Sequence, residues 1–87
     1  MKRIQRNIDV VCTFLEGEPP LPHRFRIRDR NEELHVYRIS QVLDTVKEKI
    51  LGDDIWTYKC QGVIGNQERI FVIQYNMRHG RWQLVKI

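Results

Sequence analysis

From Ile8 to Leu15 the apolar side chains of Ile8, Val10, Cys12 and Phe14 share one parity, while Asp9 and Thr13 fall on the other. A period of two marks a half-buried β-strand, because successive side chains point to opposite faces of a sheet. Val11 and Leu15 lie on the polar parity, so part of the second face is expected to be covered. The alternation returns in a strand over His23–Asp29, with Phe25 and Ile27 set against arginines. It continues over Leu34–Ile39, with Leu34 and Val36 on one side and Tyr37 and Ile39 on the other. Then the period changes. Val42, Leu43, Val46 and Ile50 recur at helical spacing, Ser40 stands at an N-cap position, and Gly52 follows the last turn. Together these predict one helix over Gln41–Leu51. Beyond Asp53-Asp54 the strand period resumes over Ile55–Ile64, with Trp56, Tyr58 and Cys60 on one parity. Gln67–Met77 is apolar on both faces, and Arg81–Ile87 carries Trp82 and Leu84 on one.

The connections support these boundaries. Glu16-Gly17-Glu18-Pro19-Pro20-Leu21-Pro22 holds three prolines, which fix φ and remove donors, so it reads as a stiff loop. Its Pro-Pro-Leu-Pro core also has the composition of a ligand for proline-recognising domains. Asn31-Glu32-Glu33 is turn chemistry, and Gly65-Asn66 is a two-residue hairpin signal. Gly62, inside a strand pattern, implies a bulge or bend. The expected fold is β-rich α+β. Six short antiparallel strands form a strongly curved sheet or partly open barrel, with one helix between the third and fourth strands. Residues 1–87 make a single domain, in which the polar Met1–Asn7 is a frayed lead-in.

Composition adds a direction to this picture. Apolar content of 41% with 30% charged residues suits a folded globular chain. No run resembles a signal peptide or membrane span, which points to the cytoplasm. Cys12 and Cys60 sit among apolar neighbours and behave as small hydrophobes, not as a disulfide framework. The net charge is +4, with basic ends and a mildly acidic middle, which favours an acidic partner.

The charge is most ordered in His23-Arg24-Phe25-Arg26-Ile27-Arg28-Asp29-Arg30. Arginines at alternate positions of a strand project from one face about 7 Å apart, close to the phosphate spacing of an extended nucleic-acid strand. Arg24, Arg26 and Arg28, with Arg38, Lys59 and Arg81, are therefore the candidate phosphate contacts; Arg69 and Arg78 are further helpers. Tyr37 is the main candidate for base stacking, with Trp56, Tyr58 and Trp82 as others. The same arginines also suit a solvated sheet face that resists edge pairing, neutralised by nearby glutamates.

Pro22-His23-Arg24-Phe25, Tyr37-Arg38-Ile39-Ser40-Gln41-Val42-Leu43, Tyr58-Lys59-Cys60, Arg69–Tyr75 and Arg81-Trp82-Gln83-Leu84 resemble the pattern of small bacterial domains of unknown function. That resemblance spans most of the chain from Pro22 onward and implies a fold, with no activity to carry over. The order of elements is also similar to an oligonucleotide-binding barrel with an added C-terminal strand.

Catalytic constellations are missing from the sequence. It has no glycine-rich phosphate loop, and its one serine, Ser40, is explained by capping. His23, His35 and His79 lack metal-ligand spacing to either cysteine, so no zinc site and no cofactor are expected. An enzymatic site would need His35 and His79 to converge with a carboxylate. The expectation is a non-catalytic module that binds single-stranded DNA or RNA. The alternative is an accessory protein-interaction domain, homodimeric or partner-bound, using Val11, Leu15, Ile70 and Val72.

Overall fold

A computed structural model describes residues 1–87 as seven strands: β1 (Arg3–Thr13), β2 (Leu21–Arg28), β3 (Leu34–Arg38), β4 (Gln41–Ile50), β5 (Asp53–Ile64), β6 (Gln67–Asn76) and β7 (Arg81–Lys86). They form one antiparallel sheet in the order β3-β2-β1-β7-β6-β5-β4. β3 and β4 stand at opposite edges of that order, yet only Ile39 and Ser40 join them. So short a link forces the sheet to curl until its edges meet at one corner. There the Ile39 amide donates to the His23 carbonyl of β2 (2.9 Å), and the Ser40 amide donates to the Gln61 carbonyl of β5 (2.8 Å). Gly62 makes the corner possible. A Cβ at that position would lie 2.5 Å from the Arg38 carbonyl oxygen. The result is a curled half-barrel, joined at the Ile39-Ser40 corner.

The helix expected over Gln41–Leu51 is not formed, and the chain is all-β with seven strands, not six strands and a helix. The same residues pair along β5 from Gln41–Gln61 to Ile50–Asp53, with a bulge between Val42 and Asp44. The bulge explains how the pattern misled. One extra residue at Leu43 flips the alternation, so Val42 packs against the core while Val46 and Ile50, of the same parity, stay exposed. Gly52, read as a helix terminus, instead serves a two-residue hairpin with Leu51, both at positive φ (86° and 50°). Four β-branched residues, Val42, Thr45, Val46 and Ile50, favour the extended form. The N-terminal segment, expected to fray, is strand from Arg3, which pairs with Lys86 of β7.

Inward-facing side chains fill the half-barrel. Ile8, Phe25, Tyr58, Cys60, Phe71, Ile73, Trp82 and Leu84 form one buried cluster, and no polar or charged residue is buried with them. Cys60 lies in this cluster, and Cys12 is partly buried against it, both as free thiols. The Tyr58 hydroxyl donates to the Pro20 carbonyl, which fastens the β1–β2 loop over one end of the half-barrel. The Gly65-Asn66 hairpin is present between β5 and β6, with both residues at positive φ (59° and 66°). No helix in the protein is long and apolar enough to cross a membrane.

Candidate nucleic-acid interface

In β2 the inward positions are Phe25 and Ile27, both packed with the core, so Arg24, Arg26 and Arg28 project from the outer face. Register places Arg24 between Val11 of β1 and Arg38 of β3. Arg26 lies between Asp9 and Val36, and Arg28 faces Leu34. Arg30 leaves the row, because β2 ends at Arg28 and Arg30 sits in the following turn.

The members of the row differ in how far they are neutralised. Arg26 Nε donates to Asp9 Oδ2 at 2.8 Å. Arg28 Nε lies 3.5 Å from the Glu32 carboxylate, and its Nη1 donates to the Glu32 carbonyl at 3.0 Å. Arg24 and Arg38 take no part in any ion pair or side-chain hydrogen bond, and both are exposed. They are direct cross-strand partners. Like charges set opposite each other repel. Around it lie apolar side chains left in water, Val11 (50% exposed) and Val36 (63%). Asp9, Val11, Arg24, Arg26 and Val36 line a shallow depression of about 410 Å³.

The remaining candidates are scattered. Tyr37 points inward against Phe25, ring centroids 5.5 Å apart, and so cannot stack bases beside the arginines. Tyr58 and Trp82 are core residues, 5.5 Å apart. Lys59 is exposed on β5, across from Asp44 and Val72, with three strands between it and β2 along the sheet order. Arg81 opens β7 opposite Asn76. Arg78 is engaged with Asp53 at 3.4 Å, and Arg69 stands opposite Gly62. Only Arg24, Arg26, Arg28 and Arg38 are brought together. His35 and His79 do not converge. His35 binds Asp29 at 2.8 Å, while His79 lies 3.6 Å from Asp53.

The turn after the arginine row holds a cluster that spacing in the sequence did not reveal. Asp29, Glu33 and His35 bring one potential metal-ligating atom each within 4.8 Å of one another. Asp29 is already committed to the turn: Oδ1 accepts from the amides of Asn31 (2.8 Å) and Glu33 (3.0 Å), and Oδ2 bonds the His35 ring. The His35 hydrogen bond, followed by that from the Glu33 amide, holds the Asp29 carboxyl below the usual carboxylate range. This arrangement is an Asx-type turn that fixes the link between β2 and β3.

Comparison of the chain with protein-family models, with curated proteins and with solved structures returns no match.

Proposed function

We propose that this small β half-barrel is a non-catalytic module that binds single-stranded nucleic acid through its phosphates, on the outer face of β2 and β3. The observation that carries this reading is the cross-strand juxtaposition of Arg24 and Arg38, exposed and without acidic partners. A phosphate between two guanidiniums relieves their repulsion and accepts charge-assisted, forked hydrogen bonds from each. Arg26 and Arg28 extend the row, and each must exchange a surface carboxylate for a phosphate. Such exposed pairs are worth at most about 1 kcal/mol, so the exchange is cheap. Two unpaired cysteines suit a reducing compartment, and a cytoplasmic setting belongs to the proposal.

The test is fluorescence anisotropy of a labelled single-stranded oligonucleotide against the wild type, Arg24→Gln/Arg38→Gln and Lys59→Gln. Loss of salt-sensitive binding in the arginine variant alone supports the reading. Equal binding by all three proteins overturns it.

A second reading has its own support: β4 is an unpaired sheet edge along which Leu43, Val46 and Ile50 remain exposed. An edge of that kind invites strand addition by a protein partner or a second copy. Association through it would be insensitive to salt, and sedimentation at low and high salt separates it from the first.

A further inference from the structure

The outer face offers cations but no ring on which a base can stack. At the end of the half-barrel covered by the β1–β2 loop, the inner face offers rings. A cavity of about 400 Å³ opens there, lined chiefly by Phe14, Glu18, Pro19, Trp56, Tyr75 and Met77. That volume lies within the range of small-ligand sites. Trp56 and Tyr75 pack against the core with part of each side chain and are otherwise open to solvent. Ring contacts run from Phe14 to Tyr75 (6.0 Å), from Tyr75 to Trp82 (4.7 Å) and from Trp82 to Tyr58 (5.5 Å), and they bypass Trp56. The group over the Trp56 ring is instead the Lys47 ammonium, 5.8 Å from its centroid. Phe14 is 66% exposed, an aromatic ring held in water at the rim.

We infer that this cavity seats one nucleobase of the bound single strand. Resting on the proposed phosphate-binding reading, the inference assigns the base-contacting half of the same function. A base is a flat ring with an apolar face and a polar edge. Trp56 and Tyr75, cross-strand neighbours in β5 and β6, supply the stacking surface. Phe14, edge-on to Tyr75 at 67°, lines the same cavity. The Glu18 carboxylate, acceptor-only when ionised, meets N–H donors of the base edge. Lys47, already above Trp56, is placed to neutralise the phosphate of the seated nucleotide. Pro20, which lines the cavity, precedes Arg24 by four positions, about 13 Å of extended chain, so a strand passing around the end of the half-barrel has a short way to the outer face.

Two oligonucleotides of equal length and charge test this, one with all its bases and one abasic throughout. Both would be titrated by anisotropy against the wild type, Phe14→Ser and Trp56→Leu, with the buried Trp82 emission and thermal unfolding confirming each fold. Wild type should favour the base-bearing strand about tenfold. Both variants should lose that preference while keeping their affinity for the abasic strand. Equal binding of the two strands by the wild type overturns the cavity inference and leaves the arginine face standing. A wild-type preference that both folded variants retain also overturns it, since the base then sits elsewhere. Absence of binding to either strand at low salt overturns both readings together.

Discussion

At position 62 an alanine Cβ would meet the Arg38 carbonyl oxygen at 2.5 Å and Phe71 Cε1 at 3.3 Å, both in the closed corner of the half-barrel. Neither atom is the free end of a flexible chain, so the corner must open. Gly62→Ala is expected to cost about 1–3 kcal/mol, the range of overpacking in a filled core, as measured by urea denaturation. Leu51 offers the opposite case. It is fully exposed and held at a φ of 50° in the β4–β5 hairpin. Leucine is disfavoured in that region and asparagine tolerates it, so Leu51→Asn should stabilise the protein by about 1 kcal/mol. An unchanged denaturation midpoint would show that the turn carries no strain.

Two kinds of titrating residue set the pH limits of the fold. A hydrogen bond from Asn76 (3.1 Å), followed by interactions with Arg78 and His79, holds the Asp53 carboxyl below its ordinary value. Its stabilisation is present above the unfolded value of about 3.9 and is lost as pH falls through the lower folded value. Thermal stability should therefore fall on the acid side, and Asp53→Asn should flatten that limb. Burial pushes the Cys60 thiol up to about 12. Above the ordinary thiol value of about 8.5 the unfolded chain releases this proton first, so stability declines from there upward. Cys60→Ser tests the alkaline side: it removes the titration and should shrink the decline, while costing core packing at every pH.

Among the elements, β2 was the most legible and β4 the least. The alternation of arginines with Phe25 and Ile27 needs no partner to interpret: one face is charged and the other is core. β4 carries two conflicting patterns. Its apolar positions fit a helix stripe, its glycine fits either a helix terminus or a hairpin, and its bulge hides the strand period. Tertiary pairing with β5 resolves a choice that local sequence leaves open. Tyr37 failed for a related reason. Its parity within β3 was clear, but which parity joined the arginine face depended on the Phe25–Tyr37 register, set across the Asp29–Glu33 turn. The site's central pair, Arg24 and Arg38, became visible only with that register.

The arginine face makes a further prediction at this level. Because Arg24 and Arg38 repel, replacing Arg38 with Gln should leave thermal stability unchanged or slightly raised, by up to about 1 kcal/mol, while weakening nucleic-acid binding. A fall in stability of that size or more would mark the pair as structural.

For the molecule as a whole, curvature follows from topology. Ile39-Ser40 joins opposite edges of the sheet, and two residues reach so short a distance that the sheet must roll onto itself. That closure was hidden in the sequence because Ile39 read as the end of a strand and Ser40 as the cap of a helix. The curl separates two surfaces, a cationic outer face on β2 and β3 and an aromatic mouth at the β1–β2 loop. A single strand that uses both would gain phosphate contacts from one and stacking from the other.

The most direct measurement is the salt dependence of single-stranded oligonucleotide binding by wild type and by Arg24→Gln/Arg38→Gln. Log affinity for the wild type should fall linearly with log salt, and the double variant should bind more weakly with a shallower slope, by about 0.7 for each phosphate contact removed. Binding with the same slope in both proteins, or no binding by the folded wild type at low salt, would contradict the assignment of this face to nucleic acid.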